Sequence, residues 1–230
     1  MHLWYSRTRQ DSKSIKFKKI LDKYFENNER YVQGFNYEDA MFGYTEMANV
    51  SALSTAAWQL GYLSIVEYQD AKYTGKNLSK NKKKNYKYGR VDLYITDETE
   101  EFICEAKQTF TSGATIDTPK IVKSICAAIE DVQRSTKNAK DKKLDGYGIV
   151  FIPHLSKNNQ TDESAIKVRI EDLKKSLKSV YDKGFSSNQG YANIKIDGYG
   201  YYFPKKPIKD WVEIGNKRLL GISILIKRAE

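Results

Sequence analysis

The stretch GRVDLYITDETEEFICEAK, residues 89–107, decides how the chain is read. Two runs rich in β-branched and aromatic residues, RVDLYIT (90–96) and EFICEAK (101–107), flank the polar turn Asp97-Glu98-Thr99-Glu100. Alternation of period two around a polar turn predicts an antiparallel hairpin. Centring the turn between Glu98 and Thr99 sets Asp92 opposite Glu105. Alternate side chains share a face, and directly opposed residues share it too. One face then carries Arg90, Asp92, Tyr94, Ile103, Glu105 and Lys107. The other carries Val91, Leu93, Ile95, Phe102, Cys104 and Ala106, and is the expected core side.

Two carboxylates opposed across a hairpin repel, and like charges in that position destabilise a sheet. A hard divalent cation between Asp92 and Glu105 would offset the repulsion, because Mg²⁺ is held by one or two carboxylates plus phosphate oxygens. Lys107, on the same face, supplies a cation for charge developing on a phosphate. A salt-bridge cluster on a solvated sheet face is the plainer alternative.

Working outward, a helix is expected from about Tyr37 to Leu60, with Asn36 as N-cap, Glu38 and Asp39 in the first turn and Gly61 just past the end. Its apolar stripe is Phe42, Val50, Leu53, Ala57 and Leu60, interrupted by Glu46 and Asn49. A carboxylate on an inward stripe is expensive unless paired or metal-bound, which makes Glu46 a candidate third acid. LSIVEY (63–68) reads as a strand and 71–89 as a polar, lysine-rich loop. A second helix opens with Thr118 as cap and Pro119 at its first position, on the stripe Val122, Ile125, Cys126, Ile129, Val132. YGIVFIP (147–153) has the continuous apolar character of a buried central strand. A third helix is expected at 162–183, then strands at 191–203 and 218–226. No element is assigned before residue 37.

The order helix, three strands, helix, strand is that of an α/β protein with a central mixed sheet flanked by helices. The segment Gly89-Arg90-Val91-Asp92 followed by Glu105-Ala106-Lys107 resembles the PD-(D/E)XK phosphodiesterases, the restriction-endonuclease-like superfamily. The resemblance covers about 37–153 and implies that family's αβββαβ core, followed here by a C-terminal helix and strands at 154–230, in a single domain. It implies Asp92 and Glu105 as metal-binding acids, Lys107 as the catalytic lysine, and Glu46 as the extra acid many members place on the first helix. Val91 stands where the motif has proline, which supplies no chemistry there. Gln108 follows the lysine, as in some members, although it points to the opposite face in an ideal strand.

Lysine and arginine total 39 against 29 aspartate and glutamate, a formal net charge of +10. Such an excess favours a polyanionic partner. Lys72, Lys76, Lys80, Lys82, Lys83, Lys84, Lys87 and Arg90 fill the interval between Asp70 and Asp92, which has no acid and interleaves Tyr73, Tyr86 and Tyr88. From Lys76 onward these cations are the expected nucleic-acid contacts. Tyr199, Tyr201 and Tyr202 form either a base-stacking surface or a packed hairpin end.

Two cysteines and two histidines disfavour a disulfide scaffold or a Cys/His metal site. No apolar run approaches the ~20 residues of a membrane span, and no secretory signal opens the chain. The expectation is therefore a cytoplasmic, Mg²⁺-dependent endonuclease acting on DNA in restriction or phage defence, with Mn²⁺ able to substitute. Double-strand cleavage would ask for a homodimer. The alternatives are a repair or recombination nuclease, a non-catalytic nucleic-acid-binding module on the same fold, and a subunit docking an acidic protein.

Overall fold

A computed structural model describes residues 2–6, 12–73, 86–136, 144–156, 162–185, 194–206, 208 and 217–229. The chain order is β1 (His2–Ser6), α1 (Ser12–Gly34), a 3₁₀ turn (Met41–Gly43), α2 (Glu46–Gln59), β2 (Leu63–Tyr73), β3 (Tyr86–Thr96), β4 (Glu101–Gln108), α3 (Pro119–Thr136), β5 (Leu144–Leu155), α4 (Glu163–Lys183), β6 (Gly198–Tyr202) and β7 (Leu219–Arg228). The strands form one mixed sheet in the order β1-β6-β7-β5-β4-β3-β2. Among the described strands β4 and β5 form the one parallel pair, and α3 is their crossover.

The central strand β5 shows why both faces must be covered. Ile149 and Phe151 pack on one side with Phe17, Leu21 and Tyr24 of α1 and Leu53 of α2. Val150 and Ile152 pack on the other with Val122 and Ile125 of α3 and Leu173 and Leu177 of α4. A strand buried from Asp145 to Leu155 needs a helix layer on each face, and it has one on each. Among the described residues no helix is long and apolar enough to cross a membrane.

The first helix departs from expectation. Asn36 (φ 51°) and Tyr37 (φ 65°) adopt left-handed backbone, which a helix cannot continue through, so Asn36 is not an N-cap. The helix begins at Glu46 instead. Thr45 caps it, its Oγ1 accepting from the Ala48 amide at 3.1 Å. Phe42 lies in the 3₁₀ turn, and Asp39 accepts from the Tyr31 and Tyr44 hydroxyls rather than serving a first turn. At the other end Gly61 (φ 87°) ends the helix as expected. The segment left unassigned carries β1 and the 23-residue α1, whose stripe Phe17, Ile20, Leu21, Tyr24, Phe25 and Val32 is fully buried.

The hairpin β3–β4 pairs in the expected register, Leu93 with Cys104 through Thr96 with Glu101. The expected loop 71–89 is shorter: residues 71–73 and 86–89 belong to strands, and 74–85 lie outside the described residues. The strand expected at 191–203 is confined to 198–202. Tyr199, Tyr201 and Tyr202 are buried, so the base-stacking alternative falls; they pack along β6, which pairs with β1 and β7, rather than at a hairpin end.

Candidate active site

Asp92 sits where the hairpin comes apart. The β3–β4 ladder stops at Leu93, and in place of further pairing the Asp92 Oδ2 accepts the Ala106 amide at 2.7 Å. Across the other edge, β2–β3 pairing omits Glu67 and Asp92, and Glu67 has a left-handed φ of 54°. The distortion breaks the facing pattern. Leu93 packs on the α1/α2 side, whereas Val91 groups with Ile103 and with Val132 of α3. Val91 therefore does not share the core face with Leu93, as uniform alternation would have it.

Helix α3 covers the face that holds the acids. Glu105 is 2% exposed and its Oε1 accepts from the Ser135 hydroxyl at 3.3 Å. Glu105 therefore does not lie on a solvated face. Two residues on, Lys107 pairs with Asp131 of α3 at 3.1 Å. Burial alone would lower the Lys107 pKa, but Asp131, Asp92 and Glu46 together outweigh it and raise it.

Glu46 enters from a different place than its sequence position suggests. As the first residue of α2 it belongs to no inward stripe, yet its carboxyl faces the backbone N–H of Gln108 and feels the charges of Lys107, Asp92 and Asp131. Its pKa is raised, first by burial and then by Asp92 and Asp131, against the opposing pull of Lys107 and the Gln108 amide. Asn49 is fully buried and fixes this corner. It accepts from the Tyr24 hydroxyl and donates to the Phe42 carbonyl (3.2 Å) and to Gln108 Oε1 (2.9 Å), while Gln108 Nε2 donates to the Tyr44 carbonyl at 2.9 Å. Gln108 is a clamp between α2 and β4, on the face opposite Lys107.

The structure therefore brings Glu46, Asp92, Glu105 and Lys107 together from α2, β3 and β4, and adds Asp131 and Ser135 from α3. Sequence reasoning passed over those two. They stand four apart on the helix beside the stripe residues Ile129 and Val132, a signal that acquires meaning only once α3 is known to cross over β4.

The basic segment is less fully placed. Lys76, Lys80, Lys82, Lys83 and Lys84 lie outside the described residues. Lys87 stands in β3 opposite Lys72 of β2. Arg90 is exposed and pairs with Glu67 at 2.9 Å.

Among the described residues no group of three or more His, Cys, Asp or Glu is arranged to hold a metal ion. Mg²⁺ does not require one, since it binds through one or two carboxylates and completes its shell with water and phosphate oxygens. Asp92 and Glu105 offer such a pair of anionic, all-oxygen donors on neighbouring strands. The donor set fits a hard cation. Comparison of the chain with protein-family models, with curated proteins and with solved structures returned no match.

Proposed function

We propose that the chain is a Mg²⁺-dependent nuclease that hydrolyses DNA phosphodiester bonds, an endonuclease of restriction or phage defence. The observation that carries the reading is the convergence of Glu46, Asp92 and Lys107 from three separate elements beside the buried Glu105. The order α2-β2-β3-β4-α3-β5 supports a PD-(D/E)XK core, because it is that family's order of elements.

Asp92 and Glu105 would hold the metal, with Glu46 completing the acid set. When bound, Mg²⁺ supplies Lewis acidity at the scissile phosphate. The chain supplies preorganisation. The Ala106 amide fixes Asp92, Ser135 fixes Glu105, and the Gln108 amide faces Glu46. Charges held in place before the substrate arrives need no reorganisation during reaction. The Lys107 ammonium meets the negative charge that grows on the phosphate oxygens. Lys87 and Arg90 precede Asp92 on β3 and would contact the DNA backbone next to the scissile phosphate.

Incubating purified protein with circular and linear DNA, in Mg²⁺ or in EDTA, tests the reading. Cleavage of the circle in Mg²⁺ that EDTA abolishes is the expected result. Loss of linear DNA alone would make the enzyme an exonuclease, and no cleavage of DNA or RNA would end the nuclease reading. One observation favours a non-catalytic nucleic-acid-binding module: Lys107 is already engaged by Asp131. Binding without cleavage in the same experiment would select that alternative.

A further inference from the structure

The crossover from β4 through α3 joins parallel strands, so α3 runs back antiparallel to β4. Four helical residues rise about 6 Å, and two strand residues rise about 6.6 Å. The spacings match, so helix residues four apart meet alternate strand residues in reverse order. Ser135 accordingly meets Glu105 at 3.3 Å, and Asp131 meets Lys107 at 3.1 Å. Asp131 is itself held on its helix, its Oδ1 taking Arg134 at 3.3 Å. The Lys107 and Asp131 side chains are each 30% exposed, so a polyanion can reach the pair. Three carboxylates act on the Lys107 ammonium: Asp131 from α3, Asp92 from β3 and Glu46 from α2. Asp131 is the one in direct ion-pair contact.

We infer that Asp131 is a positioning residue that latches Lys107: its carboxylate holds the ammonium in the free protein and yields it to a DNA phosphate as the backbone enters the site. The inference rests on the nuclease reading above and adds a control element to it. A phosphate competes with Asp131 for the same cation, so the latch opposes ground-state binding. The same contact aims the ammonium, so the latch favours the chemical step. Removing the carboxylate moves the two quantities in opposite directions, whereas loss of a merely structural contact weakens both.

The test uses Asp131→Asn and Asp131→Glu in the full chain. Affinity is read by anisotropy of a fluorescein-labelled DNA duplex in Ca²⁺, and kcat from cleavage in Mg²⁺. Asp131→Asn should bind DNA about 3- to 5-fold more tightly, the scale of a half-exposed ion pair. Its kcat should fall about 10-fold or more, because a misaimed group loses its orientation advantage. Asp131→Glu should recover most of the kcat. In a Lys107→Gln background the gain in affinity should vanish, and Mn²⁺ binding should match wild type throughout. Unchanged or weaker DNA binding, or unchanged kcat, overturns the latch. Loss of Mn²⁺ binding overturns it too, by making Asp131 a ligand. If Asp131→Asn does not fold, Asp131→Ser is read by the same criteria. Wild-type protein that neither binds nor cuts DNA overturns the nuclease reading and the latch with it; wild type that cuts, beside an indifferent Asp131→Asn, overturns the latch alone.

Discussion

Asp92 serves two purposes that substitution can separate. In the proposed metal site its carboxylate would carry charge for a cation, and one oxygen replaces a missing ladder partner for the Ala106 amide. Asp92→Ala orphans that amide, at a cost of about 1–3 kcal/mol, and confuses the two purposes. Asp92→Asn keeps an accepting oxygen and removes only the charge. Calorimetry should show Mn²⁺ affinity falling roughly 10-fold or more in Asp92→Asn while the melting temperature holds; equal Mn²⁺ binding would remove Asp92 from the metal site. A second residue makes the fold sensitive to acid. His154 is fully buried, with Nε2 2.6 Å from the Ser223 hydroxyl. Burial, reinforced by the Arg169 charge, lowers its pKa from 6.5 to about 3. The folded state thus prefers the neutral ring, while the unfolded chain takes up a proton below its own pKa. The contribution is fully present above pH 6.5 and is lost as pH falls toward 3. At pH 5 the loss is about 2 kcal/mol relative to neutral pH. Urea denaturation at both pH values should show that loss in wild type and a smaller one in His154→Gln.

At the scale of elements, the site depends on how closely α3 lies on β5. A Cβ added at Gly148 would stand 3.0 Å from the Ile129 amide nitrogen and 3.1 Å from the Ala128 carbonyl carbon. These are backbone atoms of the helix, which cannot rotate away, so a side chain there must push α3 outward. Gly148→Ala should destabilise the fold by about 1–3 kcal/mol. It should also lower cleavage beyond what unfolding explains, because α3 carries Asp131 and Ser135. Activity measured well below the melting temperature checks this, and a variant that is less stable but fully active would show that the site tolerates movement of α3. Helix α2 illustrates a limit of local reading. Thr45 and Asn36 are both good capping residue types. What separates them is that Asn36 and Tyr37 take left-handed backbone to turn the chain from α1 toward α2.

At the scale of the whole molecule, the sequence sets five lysines, Lys76, Lys80, Lys82, Lys83 and Lys84, between β2 and β3, the strand that carries Asp92. Counterion release makes each phosphate contact contribute close to one unit of slope in log affinity against log salt. Replacing Lys82, Lys83 and Lys84 together with Ser should flatten the DNA-binding slope by up to about three units, while kcat at saturating DNA stays near wild type. Titration at several salt concentrations measures the slope. An unchanged slope would move the electrostatic footprint elsewhere on the protein.

The turn end of the hairpin, from Leu93–Cys104 to Thr96–Glu101, was legible in the sequence, because its pattern is local: alternating side chains around a four-residue turn determine which residues face each other; the expected Asp92–Glu105 pair lies past the end of the ladder. The central strand β5, the N-terminal cap of α3 at Thr118 and the end of α2 at Gly61 were legible for the same reason. The stripe of α1 is equally periodic, but half of it is aromatic and it is set among charged residues, and it passed unread. Tertiary structure alone decided the rest. Val91 changes face because the ladder breaks at Asp92, and Glu46 reaches the site from a helix N-terminus because Gln108 is clamped beneath it. Asp131 and Ser135 join the site because a parallel crossover turns α3 back along β4. Contacts between residues some thirty positions apart leave no periodic trace in a chain; they exist only once the sheet has set the direction in which each element runs.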